Sequence, residues 1–272
     1  MYATENKNID PLARPFLAMG ARVAFAELRP DPWNRVVGPV ALDVRRDKHG
    51  EYFLVRKRAD TRLQVLEVQP AERHLVLLSR VGEGRQESKA RFLLGHDERH
   101  WFVAAIPEST PVSTVIAAKQ ALKPEEVVRE EQGLRAKNRQ RRVTKARIRQ
   151  GEWFFVPRDG FRVNPKLIFR NEPLRRGGGK AHIVQELYRE GGETVYVHRM
   201  YPNGLTQAQF AALSQKVRAQ AGWRTMRRNP RVLVRGTVRH SDHKTILLRG
   251  WHEVFVNTEA RAAAMRNVAF LD

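Results

Sequence analysis

The chain has 272 residues, 42% of them hydrophobic, with 50 Lys and Arg against 29 Asp and Glu, which gives a formal net charge of +21. The lack of cysteine excludes disulfides, thiolate catalysis, zinc knuckles and iron–sulfur clusters, and no stretch of 18 apolar residues is available to span a membrane. Such an excess of positive charge repels itself, and a polyanion such as nucleic acid is its usual partner.

The first ten residues, which mix Glu, Lys, Asn and Asp, contain no apolar core of the kind found in signal peptides. No long helix with a separate apolar face is evident that would insert into a membrane surface. We therefore expect a cytoplasmic prokaryotic protein without a membrane partner. The alternative is a basic protein whose charge has no specific partner.

The first predicted domain, residues 1–110, has the pattern of short β-strands. Strand candidates lie at residues 51–55, 63–68, 74–78, 91–94 and 101–106, with a turn at 69–72 and a polar loop at 95–100. Short strands at this spacing predict small antiparallel sheets or a partly open barrel.

A helical bridge, residues 111–150, is expected next. Ser113 or Thr114 can cap a short helix, and Pro124 can begin another that carries Glu125 and Glu126 in its first turn. Gly133 is a plausible end of that helix.

Residues 134–150 form the strongest signal for nucleic acid, because this run contains cations and no acid. As a helix it would span about 26 Å, enough to follow a groove or a backbone. The alternative is a solvated linker, but the missing acid favours binding. The predicted phosphate contacts are Arg135, Lys137, Arg139, Arg141, Arg142, Lys145, Arg147 and Arg149.

The second predicted domain, residues 151–272, is again rich in strand patterns. Strands are expected at residues 152–156, 167–169, 194–197, 232–239 and 245–256, with a turn at 201–204. Thr206 and Gln209 form a capping box that opens a helix ending near Gly222. The predicted fold class is therefore α+β: two β-rich lobes of small antiparallel sheets or partly open barrels, joined by a basic helical segment.

Residues 194–241 contain no acid, and the strand at their end alternates valines with arginines. Alternation places the arginines on one face, where guanidinium groups can bridge phosphates and stack on bases. Trp223 and Trp251 can add stacking surfaces, although a core position is the more common role for each. The predicted contacts here are Arg224, Arg227, Arg228, Arg231, Arg235 and Arg239.

Three glycines, 177–179, stand between Arg175, Arg176 and Lys180, and such a loop can bring backbone N–H groups close to a phosphate. Ala181 follows Lys180 where the Walker motif has Ser or Thr, so ATP hydrolysis is not supported. We expect a surface loop in which Arg175, Arg176 and Lys180 touch a nucleic-acid backbone.

The histidines fall into two groups that are weak candidates for catalysis. Metal binding, or metal-free RNA cleavage by His as general acid or base, is one interpretation. Phosphate contact or turn capping is the favoured one, so we assign no metal site and no cofactor and lean against an enzyme. The first group is His96, Asp97 and His100, and the second is His240, Asp242, His243 and His252.

Three segments, at residues 95–105, 150–157 and 238–246, read GHDERHWFVAA, QGEWFFVP and VRHSDHKTI. They resemble a family of prokaryotic proteins of unassigned function, some of which occur on phages or other mobile elements. The resemblance covers nearly the whole chain and implies a mobile-element ribonucleoprotein subunit, for example one that holds a guide RNA.

The leading hypothesis is thus an RNA-binding protein that acts with a protein partner in a ribonucleoprotein and grips structured RNA through its phosphates. A histidine- or metal-dependent nuclease is the second hypothesis. A DNA-binding architectural or regulatory protein is the third, although no helix-turn-helix or zinc-finger signature supports it.

Overall fold

The computed structural model describes residues 10–28, 38–109, 111–176 and 180–261. The fold is α+β, as predicted, and the described strands form four sheets, none of which closes into a barrel. Within these ranges, no helix is both long and apolar enough to cross a membrane.

The N-terminal lobe contains one helix and two sheets. Its elements are α1 (Arg14–Ala18), β1 (Arg22–Glu27), β2 (Val40–Asp47), β3 (Gly50–Lys57), β4 (Thr61–Gln69), β5 (His74–Val81), β6 (Ser88–Asp97) and β7 (His100–Ile106). In the first sheet, β3 is central, parallel to β1 and antiparallel to β2. Strands β4 to β7 form an antiparallel meander, and all five strands predicted for this domain are confirmed.

The predicted loop at residues 95–100 is wrong in extent, because strands cover most of it. β6 continues to Asp97 and β7 begins at His100, so the turn consists of Glu98 and Arg99 alone. Glu98 adopts a left-handed conformation with φ of 51°. His96 and His100 therefore lie on strands, where cross-strand pairing fixes their positions.

The meander is buried on both faces, which explains its apolar runs. Leu75 and Leu77 pack with Phe53 of the first sheet in one core. Val76 and Leu93, on the opposite face, pack beneath the helical bridge in a second core.

The bridge begins with α2 (Val115–Ala121) and α3 (Glu125–Glu130). Thr114 caps α2, since its Oγ1 accepts a hydrogen bond from the Ala117 amide at 3.2 Å. Pro124 occupies the N-cap position of α3 without a side-chain hydrogen bond, and the first turn carries two glutamates, as predicted.

Residues 134–150 do not form the predicted helix. They fold into a 3₁₀ turn (Ala136–Asn138), irregular turns and the short strand β8 (Ile148–Gln150). Arg147, only 1% exposed, donates to the carbonyls of Arg139, Arg141 and Arg142 at 2.7–3.1 Å. A helix would use these carbonyls within its own backbone, so burying Arg147 requires a non-helical path.

The C-terminal lobe is built on one six-stranded sheet, with a smaller sheet inserted into it. Its elements are β9 (Trp153–Pro157), β10 (Phe169–Leu174), β11 (His182–Glu190), β12 (Glu193–His198), β13 (Tyr201–Thr206), α4 (Gln207–Ala211), α5 (Gln215–Arg218), β14 (Arg224–Arg228), β15 (Arg231–Arg239) and β16 (Ile246–Val256). The large sheet has the order β10-β11-β15-β16-β9-β8 and is antiparallel throughout.

Residues 193–228 extend beyond the large sheet and are called the projecting module here. Pairing of β11 with β15 ends at Glu190 and Arg231, and pairing resumes between β12 and β14 at Glu193 and Arg228. The module's own sheet has the order β13-β12-β14. No residue of the module belongs to the cores found among the described residues, so it packs separately from both lobes.

Three predictions for the C-terminal lobe are wrong in detail. The turn predicted at 201–204 is strand β13, where Pro202 is tolerated because β13 is an edge strand. The capping box of Thr206 and Gln209 is confirmed, but the helix stops at Ala211 and restarts after Ser214, which is extended. The strand predicted at 167–169 begins only at Phe169, after a 3₁₀ turn initiated by Pro165.

Candidate functional site

A cavity of about 730 Å³ lies between the two lobes, and we call it the interlobe cavity. Both predicted histidine groups line it: His96, Asp97 and His100 from the N-terminal lobe, and His240, Asp242 and His243 from the C-terminal lobe. The fold thus brings together residues that are more than 130 positions apart. His252, the remaining candidate, does not line this cavity; it pairs with Val234 and Pro157 inside the large sheet.

The lobes touch where the β6–β7 hairpin meets the turn between β15 and β16. The Lys244 amide donates to Glu98 Oε2 at 2.7 Å. His100 stands between the lobes, with Nδ1 2.6 Å from Glu51 Oε1 and Nε2 3.8 Å from Asp242 Oδ1. Its two nitrogens thus face one carboxylate from each lobe.

Three imidazoles meet on the C-terminal side of the cavity, and we call them the histidine cluster: His182, His240 and His243. The ring centroids of His182 and His240 are 4.1 Å apart, and those of His240 and His243 are 4.7 Å apart. Sequence reasoning missed His182. Its place in the cluster is set by the register of β11 and β15. This register pairs Ile183 with Arg239 and so sets His182 beside His240.

Gly151 gives His243 its place in the cluster. It has φ of +58°, and a Cβ there would lie 2.8 Å from His243 Nε2. A side chain at this position would therefore displace the ring.

Burial is the main influence on the cluster's protonation. It lowers the pKa of His182 to about 3, with further lowering by the nearby His240 and His243. Burial also lowers the pKa of His240 and that of His243. The three rings are therefore neutral near pH 7, the state in which imidazole nitrogens accept hydrogen bonds or bind metals.

Cations also line the interlobe cavity, but several are paired with the protein's own carboxylates. Arg142 forms ion pairs with Asp97 and Glu98. Arg149 lies 3.5 Å from Asp97 Oδ2, and Lys180 Nζ lies 3.1 Å from Asp242 Oδ2. The cavity wall therefore combines charges of both signs.

The residues predicted to contact phosphate in the 134–150 run divide into two sets. Arg147 is buried, and Arg139 donates to the carbonyls of Leu134 and Gln132 at 3.0 and 3.2 Å, so neither guanidinium is free. Arg142 and Arg149 are paired with carboxylates, as described above. The guanidinium groups of all four arginines therefore bind other parts of the protein. The exposed set, which has no ion pair in the described part of the chain, is Arg135, Lys137, Arg141 and Lys145.

The arginine face predicted on β15 is largely neutralised. Arg231 pairs with Glu190 and Glu253 at 2.9 and 3.0 Å. Arg235 pairs with Glu186 at 2.5 Å and covers the Trp251 ring, whereas Arg239 donates to the Asn171 side chain at 3.4 Å. Trp251 itself is 7% exposed and lies in the core, so it offers no stacking surface.

The predicted loop at 175–180 is described only in part, because residues 177–179 lie outside the described ranges. Arg175 is exposed. Arg176 bonds to the Asn257 side chain and lies 3.3 Å from Glu259 Oε2. Lys180 faces Asp242, as described above.

The projecting module carries a strongly one-sided charge. It contains six cations and one carboxylate, Glu193, which pairs with Arg228. Five of the cations are exposed and form no ion pair with any described residue: Arg199, Lys216, Arg218, Arg224 and Arg227, the last of which donates to the Gly192 carbonyl. Trp223 lies half-buried between the rings of His198, Tyr201 and Phe210.

A scan against models of protein families, a search of curated proteins and a search of solved structures each returned no match for this chain.

Proposed function

We propose that this protein binds nucleic acid, with structured RNA as its preferred ligand, and that the projecting module makes the main phosphate contacts. The observation that carries the proposal is the module's charge, six cations against one carboxylate on an exposed surface. Each cation placed on a phosphate releases a condensed counterion, which favours binding whatever the base sequence.

The shape of the module supports the same proposal. Alternation along β14 puts Arg224, Met226 and Arg228 on one face, and Met226 is 52% exposed. Strands that project basic and apolar side chains are a known means of contacting a nucleic-acid groove. The cluster of rings around Trp223 stiffens the base of this surface.

A second surface is provided by the exposed set of the bridge, at residues 135–145. Its four cations lack carboxylate partners among the described residues, whereas the cations that face the cavity are paired. RNA is preferred in this proposal because A-form helices are read by shape and backbone rather than by base edges. A ribonucleoprotein role, as the resemblance implies, would use both surfaces.

The test compares a variant of the module with a control of equal charge. Lys216→Glu combined with Arg224→Glu should weaken binding to an RNA hairpin at least tenfold, as measured by fluorescence anisotropy. Arg58→Glu combined with Arg62→Glu changes the net charge equally on the N-terminal lobe and should leave affinity within about twofold. Equal losses in both variants would show a diffuse charge effect and contradict the module's role.

The ligand preference needs its own arm of the experiment. An RNA duplex and a DNA duplex of matched sequence compete for the wild-type protein, and RNA should win. A clear preference for DNA would support the architectural or regulatory alternative instead.

Cleavage of the bound strand is a second candidate function, favoured by the convergence of both histidine groups on the interlobe cavity. His100, between Glu51 and Asp242, is placed to exchange a proton with a substrate in the cavity. His100→Ala should abolish cleavage of a labelled RNA while leaving its binding intact. If the wild-type protein cuts neither RNA nor DNA, with or without divalent metal, this candidate is excluded.

A further inference from the structure

We propose that His182, His240 and His243 bind one divalent transition-metal ion of the zinc class, with an open coordination position that faces the interlobe cavity. This site is independent of the nucleic-acid surfaces on the projecting module. It concerns a different part of the molecule and different chemistry.

The arrangement of nitrogens is the first argument. One ring nitrogen from each histidine lies within 4.8 Å of the others. Zn–N bonds of about 2.0–2.1 Å hold the nitrogens of a tetrahedral site roughly 3.3 Å apart. The rings are stacked, with interplanar angles of 20°, 24° and 27°, so side-chain rotations that tilt them towards one point would bring the three nitrogens to bonding distance, without any change of strand register.

Unpartnered nitrogens are the second argument. His182 is 1% exposed, and neither of its ring nitrogens has a hydrogen-bond partner. Nδ1 of His243 is likewise buried without a hydrogen bond, and Glu98 Oε2 lies 3.6 Å from it. Buried polar atoms in folded proteins nearly always have partners, so three orphaned nitrogens in one cluster indicate a missing ligand. Each ring can give one nitrogen to an ion, so a metal ion would bind one nitrogen of His182 and one of His243.

His240 needs a local adjustment to join the site. Its Nδ1 accepts a hydrogen bond from the Asp242 amide at 3.1 Å, so this nitrogen is engaged. Rotation about the Cβ–Cγ bond frees the nitrogen. The released amide lies in the turn between β15 and β16, where Ser241 is exposed and water can replace the bond.

The surroundings define the ion and its further ligand. Three neutral imidazoles favour zinc and its neighbours over magnesium or calcium, which prefer oxygen. His240 and His243 line the cavity, together with Lys180, Arg142 and Arg149. Neutral imidazoles leave the divalent ion its positive charge, so an anion such as a phosphate group is the expected ligand at the open position.

The first experiment uses the full chain, stripped with a chelator and dialysed. Titration with zinc alone in a calorimeter should show one equivalent per chain. Titration with cobalt alone should produce visible d–d absorption of a nitrogen-bound ion, which zinc then removes. If the wild-type protein binds neither metal, the proposal is overturned whatever the variants do.

The variants locate the site. His182→Asn and His240→Asn should each weaken zinc binding at least tenfold. His252→Asn replaces another buried histidine of the same sheet, 4% exposed and outside the cluster, and should bind zinc as the wild type does. His240 directly follows the end of β15 and is partly exposed, so its variant serves even if His182→Asn fails to fold. Unchanged zinc binding in a folded His240→Asn variant would contradict the assignment.

Two further readouts complete the test. Inorganic phosphate added to the cobalt-loaded protein should shift its visible spectrum, and an unchanged spectrum would remove the phosphate part of the proposal. The Lys216→Glu, Arg224→Glu variant should bind zinc as the wild type does. Loss of RNA binding with zinc binding retained, or the reverse, separates this proposal from the proposed function.

Discussion

Glu131 lies between two buried cations at the centre of the bridge. Its Oε2 accepts from Lys123 Nζ at 2.6 Å, and its Oε1 accepts from Arg147 Nε at 2.8 Å. The side chains of all three are at most 4% exposed. Burial lowers the pKa of Lys123, although Glu131 opposes this effect. Since Arg147 also holds three carbonyls, this triad stabilises the non-helical path of the bridge.

Glu131→Gln should therefore be strongly destabilising, because it leaves two buried cations facing a neutral amide. Loss of one partner of a buried pair costs about 3–5 kcal/mol. The free energy of unfolding in urea measures the effect. The control is Glu130→Gln at the neighbouring position, where an exposed pair with Arg158 is removed and a loss below about 1 kcal/mol is expected. Similar losses in the two variants would contradict the triad's role.

His74 gives the N-terminal lobe a dependence on pH. It packs against Phe102, and burial lowers its pKa to about 4, with a further contribution from the charge of Lys119. As the pH falls, His74 of the unfolded chain becomes protonated near pH 6.5, whereas His74 of the folded protein becomes protonated only near its lower pKa. Stability is therefore full above about pH 6.5 and declines as the pH falls towards about 4.

Replacing the titrating group tests this dependence. In His74→Gln, the urea midpoint should fall less between pH 7.5 and pH 4.5 than it does in the wild-type protein. The slope at alkaline pH should be the same in both proteins, because His74 is neutral there in the folded and the unfolded state. An identical decline in both proteins at acidic pH would show that His74 does not contribute.

The projecting module joins the large sheet through a bend, and both connecting segments contain residues in the left-handed conformation. Gly191 and Gly192 have φ of 64° and 77°, and Asn229 opposite them has φ of 50°. A Cβ on Gly192 would lie 2.8 Å from the Arg228 carbonyl oxygen. The two connecting segments thus bend at the same point, which separates the module from the large sheet.

This arrangement predicts that the module can be removed. Replacing residues 191–230 with a two-residue Asn-Gly turn should join Glu190 to Arg231, which are already paired. The thermal midpoint should stay within a few degrees of the wild-type value, while RNA binding weakens at least tenfold. A protein that no longer folds would show that the module is part of the core.

Alternation and turn residues are local signals; they did not predict β1, β2, β11 and β14, but they predicted several strands in both lobes. The meander of β4 to β7 and the hairpin of β15 and β16 are examples. The path of residues 134–150 could not be predicted, because it depends on the buried carboxylate of Glu131, which pairs with both Lys123 and Arg147. Similarly, alternation placed the arginines of β15 on one face but did not show that Glu186, Glu190 and Glu253 pair with them.

At the scale of the whole molecule, the interlobe cavity depends on how the lobes dock. Both histidine groups were recognisable, but their meeting rests on contacts such as that of Lys244 with Glu98, which join distant segments. The place of His182 in the histidine cluster could not be predicted, because only the register of β11 and β15 sets it beside His240. The composition gives the surplus of cations directly. The distribution of free cations over the surface depends on which of them pair with carboxylates in the fold.

The charge of +21 is therefore divided unevenly over the molecule. Carboxylates pair with many cations of the lobes, whereas five of the six cations of the projecting module and the exposed set of the bridge form no ion pair with any described residue. Separation of this kind predicts an electrostatic binding mode in which a defined group of side chains, rather than the net charge, sets the affinity.

The salt dependence of RNA binding tests this account most directly. The logarithm of the association constant, measured for an RNA hairpin between about 50 and 200 mM salt, should fall linearly with the logarithm of salt concentration. The slope should become shallower by about 1.5–2 in the Lys216→Glu, Arg224→Glu variant, since two phosphate contacts are lost. The same slope in both proteins, or wild-type binding that does not respond to salt, would contradict the central claim.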